Sequence, residues 1–228
     1  MKKLHLLPGT LCTPLLWQQA RPLLQDAYQL IDLSIPNHLN FSQIAQQLLE
    51  QHPNQMLNLV GFSLGAYIAA DFAIRYPHAV ASLTLVSNSP TQLPEAEVSQ
   101  RCSAMKLIEQ HGYKGTPRNR LAGLLAPENQ TERFFDILQK MDADSGEETL
   151  LSQYRHTTER EDLSSGLHAL TCPVQLYYAE NDPLIDTQWM QRLQQRAPTI
   201  RFVKAASSGH MLPLEQPQQF AQVIKSFV

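Results

Sequence analysis

One stretch limits the folds open to this chain more than any other. An apolar run beginning at Leu57 enters Val60-Gly61-Phe62-Ser63-Leu64-Gly65-Ala66, and a helix-forming run leaves it with no spacer. The backbone must therefore reverse sharply at Ser63. Side chains two residues to either side would collide with the turn or with the neighbouring strand. Gly61 and Gly65 remove those side chains, and Ala66 keeps the next position small. The expected unit is strand, turn and helix, with the Ser63 hydroxyl at the carboxyl end of a buried strand. It lies above a helix N-terminus whose free N–H groups favour a developing anion. The five residues from Gly61 to Gly65 match the G-x-S-x-G elbow in context as well as in letters.

Units of the same kind run on both sides of it. Residues 3–7 read as a short buried strand ended by Pro8-Gly9, and Pro14 opens a helix expected to run to about Leu24. Residues 29–33 form a second strand. A helix follows in which Phe41, Ile44, Ala45, Leu48 and Leu49 fall at helical spacing, with Ser42 as its cap. The helix after Ser63 ends near Arg75, before Pro77, and residues 82–87 are a fourth strand. Strands and helices alternating through short loops predict a mostly parallel sheet flanked by helices. Ligands bind such sheets at the carboxyl ends of the strands, where the strand order reverses, which puts the loop Pro8-Gly9-Thr10 beside Ser63.

From Pro90 the alternation lapses. Residues 98–110, 119–125, 131–141 and 147–155 look helical between turns that contain Pro, Gly or Asn. The expectation is a core built from residues 1–89 and 166–228, with residues 90–165 inserted as a helical lid over the strand ends. Apolar residues of the insertion such as Met105, Leu121, Leu125, Phe135 and Met141 are read mainly as packing, with a fraction lining a pocket. The sheet pattern resumes with strands at 174–179 and 200–203 and a closing helix at 217–227.

Composition narrows the class of partner. Hydrophobic residues make up 43% of the 228 and charged residues 17%, so the chain can bury a core. A net charge of -3 gives no electrostatic reason to expect nucleic acid or an anionic membrane, and no apolar run approaches a membrane span. The start has two lysines and too short an apolar run for a signal peptide. Cys12, Cys102 and Cys172 form neither a metal-ligand spacing nor an even disulfide set, which suits a reducing, cytoplasmic setting. A small molecule is the expected partner, with no metal and no cofactor.

A serine hydroxyl is a weak nucleophile until a base takes its proton, and that base needs a third group to fix its tautomer. Two loops after strands could supply them. One is Glu180-Asn181-Asp182-Pro183-Leu184-Ile185-Asp186, and the other contains Gly209-His210. Both open at the Ser63 edge of the sheet, in the order serine, acid, histidine.

With Gly61-Phe62-Ser63-Leu64-Gly65, Glu180-Asn181-Asp182-Pro183 and Gly209-His210 followed by Pro217, the chain resembles the α/β-hydrolase superfamily. Its opening Leu6-Leu7-Pro8-Gly9-Thr10-Leu11-Cys12, with Trp17 later, is similar to a group of small bacterial hydrolases. The resemblance covers the core and is weak in the lid. It implies Ser63 as nucleophile, His210 as general base and then acid, and Asp182 as the orienting carboxylate, with Asp186 as the rival acid. It also implies an oxyanion hole made by the backbone N–H groups of Leu64 and Thr10, although Pro8-Gly9 stands where the family usually has His-Gly.

The expected activity is hydrolysis of an ester or thioester of a small, partly apolar acyl compound through an acyl-enzyme. Two other readings remain open. Carbon–carbon bond chemistry on the same triad would call for a carboxylate-binding arginine cluster drawn from Arg101, Arg118, Arg120, Arg133 and Arg155, which are otherwise read as solvated surface charges. A ligand-binding protein with a vestigial triad is the third.

Overall fold

A computed structural model describes residues 1–228. Six strands form one sheet: β1 (Lys2–Leu7), β2 (Tyr28–Asp32), β3 (Leu57–Phe62), β4 (Val80–Val86), β5 (Val174–Ala179) and β6 (Arg201–Ala205). Their order is β2-β1-β3-β4-β5-β6, and every neighbouring pair is parallel. The strand order reverses between β1 and β3, which are neighbours in the sheet.

Because both faces are covered, the central strands are mostly apolar and split their side chains between two cores, with Ser82 bonded to Asn58 and Gln175 to Thr84 among the few polar exceptions. Leu57 and Leu59 of β3 pack with α2 (Phe41–Gln51) and α3 (Leu64–Arg75) on one face. Val60 and Phe62 face the other way, toward Trp17, Phe220 and Met211. The helices on that second face include α1 (Arg21–Leu24), which follows a 3-10 turn at Pro14–Trp17.

The first expected helix is thus broken. Pro22 has no N–H to donate and does not fit the interior of a helix begun at Pro14, so the helix restarts at Arg21 with Pro22 in its first turn. The cap of α2 also differs from expectation. Asn40, not Ser42, accepts from the Gln43 N–H, while Gln43 Oε1 accepts from Asn40 N–H in a reciprocal box.

Between β4 and β5 lie α4 (Glu95–His111), α5 (Arg118–Ala122), α6 (Glu132–Thr157) and α7 (Ser164–Ala169). The helices expected at 131–141 and 147–155 are the two limbs of α6, which kinks at Gly146 with φ 75° and ψ -179°. Leu121, Leu125, Phe135, Leu138 and Met141 of this segment join the core that contains Trp17 and Phe62. Leu163 and Leu167, around α7, belong to the opposite core. The last helices are α8 (Thr187–Arg196), α9 (Leu212–Glu215) and α10 (Pro217–Lys225). No helix is long and apolar enough to cross a membrane.

Candidate active site

The turn between β3 and α3 is as tight as its glycines suggest. Ser63 has φ 52° and ψ -117°, a region that residues with a side chain rarely occupy. An added Cβ on Gly61 would fall 2.6 Å from Ala66 Cα, and one on Gly65 would fall 2.7 Å from the Leu7 carbonyl carbon. Gly65 therefore lets the end of β1 lie directly against the first turn of α3. Gly9 is constrained less severely, by side chains rather than backbone, since a Cβ there would lie 2.9 Å from the Phe62 ring and 3.1 Å from Ser63 Cβ. The strain at Ser63 is held by its N–H donating to Val86 O at 2.9 Å and by its carbonyl accepting from Ala66 and Tyr67.

His210 meets this serine from the loop after β6. Its Nε2 stands 3.0 Å from Ser63 Oγ, and its Nδ1 stands 2.8 Å from Asp182 Oδ2. Asp182 and His210 are 3% and 4% exposed, so water does not compete for either contact. The other Asp182 oxygen accepts from Leu184 N–H at 2.9 Å. With its Nδ1–H donating a hydrogen bond to the carboxylate, His210 has Nε2 left to accept the Ser63 proton. The Phe62 ring lies 5.1 Å from the imidazole and walls it on one side.

The rival acids are occupied elsewhere. Asp186 is the N-cap of α8, where Oδ1 accepts from Trp189 N–H at 2.8 Å, and its own N–H donates to Ser89 Oγ. Glu180 lies 3.6 Å from Lys204 at the surface.

Two backbone N–H groups near Ser63 are free of partners within the chain. Leu64 is the first residue of α3, so its N–H has no acceptor within the helix. Thr10 lies outside the helices and strands, and its N–H makes none of the loop and turn hydrogen bonds. Just after Thr10, Leu11 has φ 53° and donates its N–H to Gln153 Oε1 of α6 at 3.1 Å. Burial pushes the neighbouring Cys12 thiol up to about 12, away from thiolate chemistry.

Sequence reasoning missed Gln153 and Glu215. Glu215 accepts hydrogen bonds on both oxygens from the His210 loop and from residues 126 and 129. Neither belongs to a local pattern, because their partners lie far away in the chain or in an irregular loop.

The five arginines do not form a free cluster. Arg118 pairs with Glu132 and Arg155 with Glu109, both at 2.5 Å near the surface. Arg120 donates to Tyr154 Oη at 3.0 Å, and Arg133 lies over the Phe134 ring. Arg101 departs from the expected solvated charge. It is 7% exposed, lies over the Tyr154 ring and donates from two guanidinium nitrogens to Glu97, which offsets its desolvation.

Comparison with known proteins bears on the whole chain. Its sequence is 27% identical to the pimeloyl-[acyl-carrier protein] methyl ester esterase of Vibrio vulnificus over 92% of this chain and 88% of that one. It is 26% identical to the enzyme of the same name from Aeromonas hydrophila over 81% and 75%. The fold is shared with a thermophilic esterase from Thermogutta terrifontis, at a TM-score of 0.86 and 21% identity over 99% of this chain and 89% of that one. Residues 6–223 match the Alpha/beta hydrolase family. Since that match runs from the first strand into the last helix, the chain belongs to the alpha/beta hydrolase family.

Proposed function

We propose that the protein is a serine hydrolase that cleaves an ester or thioester of a small, partly apolar acyl compound, without metal or cofactor. The reading rests on one observation above all: the 3.0 Å approach of His210 Nε2 to Ser63 Oγ, with Asp182 behind the imidazole. Ser63 Oγ attacks the acyl carbon while its proton passes to Nε2. The bond from the acyl carbon to the leaving oxygen or sulfur then breaks, and His210 returns the proton to the departing group. Water, deprotonated by His210, attacks the acyl-enzyme and releases the acid with Ser63 restored.

Negative charge on the acyl oxygen would be met by the N–H of Leu64 at the N-terminus of α3 and by that of Thr10 in the loop after β1. One such donor typically contributes about 2.7 to 4 kcal/mol to lowering the barrier. In this reading residues 90–165 act as the cap over the strand ends and residues 1–89 and 166–228 as the catalytic core, at work in the cytoplasm.

The carbon–carbon reading is the weaker one because three of the five arginines it would draw on, Arg101, Arg118 and Arg155, are already paired with glutamates. The Vibrio and Aeromonas relatives are named for a methyl ester, so esters of small alcohols are the first substrates to try. Ser63→Ala is expected to abolish turnover of p-nitrophenyl acetate and butyrate and of short acyl methyl esters. Undiminished turnover in that variant would refute the reading.

A further inference from the structure

Glu215 ends α9, five positions beyond His210, and two distant pieces of chain meet at its carboxylate. Oε1 accepts from Gly209 N–H at 3.0 Å and from Ser208 Oγ at 3.2 Å. Oε2 accepts from Ala126 N–H at 2.8 Å and from Asn129 Nδ2 at 2.9 Å. Beside it, Leu124 O accepts from His210 N–H at 2.9 Å and from Met211 N–H at 3.3 Å. Nothing bulkier than glycine fits before His210, since a Cβ on Gly209 would fall 2.6 Å from Ala126 N.

These bonds hold the His210 backbone to the helical segment rather than to the sheet, because β6 has already ended at Ala205. A shift of the corner at residues 124–129 must therefore carry the imidazole with it. We propose that Glu215 is a positioning residue that ties this corner to the His210 loop, so that the inserted segment sets the distance between His210 and Ser63. The proposal rests on the reading of His210 as the base that serves Ser63. It also implies that any opening of the cap leaves the 124–129 corner in place.

A carboxylate suits this position better than an amide. Four donors converge on two oxygens, and a glutamine would turn its NH2 group toward one of the two donor pairs. Glu215→Gln thus keeps the shape of the side chain while releasing one side of the junction and leaving a backbone N–H unpaired.

The test is steady-state kinetics on p-nitrophenyl butyrate, normalised to active sites titrated with a fluorophosphonate, for wild type, Glu215→Gln, Asn129→Ala and the double variant. Glu215→Gln is expected to lower kcat about 10- to 100-fold with KM changed less than about twofold, as a small misplacement of a reacting group does. Labelling of Ser63 should slow in the same proportion. Asn129→Ala, which leaves Ala126 on Oε2, should fall between, and the double variant should be no worse than Glu215→Gln, because the two residues act through one junction.

A purely structural role would lower the melting temperature and leave kcat per titrated site unchanged, and that result overturns the proposal. Should Glu215→Gln fail to fold, a wild-type kcat in Asn129→Ala overturns it equally. Ser63→Ala in parallel separates the two claims. Turnover surviving there overturns the nucleophile and this proposal with it, whereas loss there beside an undiminished Glu215→Gln overturns only the role of Glu215.

Discussion

Asp182 Oδ2 and His210 Nδ1 lie 2.8 Å apart in a dry setting, while Asp186, in the same loop, spends its side chain on the first turn of α8. Two carboxylates four positions apart therefore make separable predictions. Asp182→Asn leaves the imidazole in the wrong tautomer and is expected to lower kcat about 10⁴-fold, the size of effect seen where such an acid is neutralised in place. Asp186→Ala removes a helix cap and should cost about 1 kcal/mol of stability with kcat nearly unchanged. Kinetics and urea unfolding of the two variants decide between them, and the opposite pattern would exchange their roles.

Gly65 and Gly146 are both intolerant of a side chain, for different reasons. At Gly65 a methyl group would press on the carbonyls of Leu7 and Pro8, prying β1 and the Thr10 loop away from Ser63. At Gly146 nothing lies within 4 Å, and the cost comes from φ 75° alone. Gly65→Ala is therefore expected to cost about 1 to 3 kcal/mol by overpacking and to depress kcat sharply. Gly146→Ala should lower stability with kcat per folded molecule preserved. Thermal melts paired with kinetics test this, and equal losses of kcat in the two variants would count against it.

What could be read from the sequence follows from how local each determinant is. Gly61, Ser63 and Gly65 are legible because one turn needs all three within five residues. The loops holding Asp182 and Gly209-His210 are legible because each closely follows a strand and the parallel sheet brings strand ends to one edge, whereas the preference for Asp182 over Asp186 comes from the family resemblance, through its place before Pro183. Asn40 was hidden by Ser42, an equally good cap two residues later, and the choice falls to the residue with Gln43 three places on. The helix expected from Pro14 failed at Pro22, where apolar spacing outweighed a missing N–H in the reading but not in the fold. Gln153 left no trace, and Glu215 stood out only as part of the Glu-Gln-Pro before the last helix, since Gln153 meets Leu11 from 142 positions away and Glu215 reaches back to Ala126 across 89.

Gln153 is 6% exposed and holds the Leu11 N–H, next to the proposed oxyanion donor Thr10, in a left-handed turn. Gln153→Leu fills similar volume and leaves that N–H without an acceptor, at a cost of about 1 to 3 kcal/mol if it stays buried. The strained loop should relax and carry Thr10 N–H off its mark. The expected result is a kcat reduced about tenfold at similar KM, in line with partial loss of one oxyanion donor. Full activity in Gln153→Leu would show that the loop keeps its shape without this contact.

His5 predicts an acid-side loss of stability unrelated to catalysis. It is 2% exposed in the middle of β1, its Nδ1 has no partner, and its ring meets that of His52 edge-on at 5.2 Å. Burial lowers its pKa from 6.5 to about 4, with the nearby His52 and Lys3 adding to the effect. Between those two values the unfolded chain binds a proton that the native protein refuses, so stability is full above pH 6.5 and falls as the pH drops toward 4. His52, whose pKa burial also lowers, acts in the same direction. Replacing His5 by leucine removes its share of the proton uptake. The urea midpoint of His5→Leu should therefore change less between pH 7 and pH 5 than that of the wild type. Parallel pH profiles for the two proteins would mean that His5 is charged in the native state or that its ring is open to water.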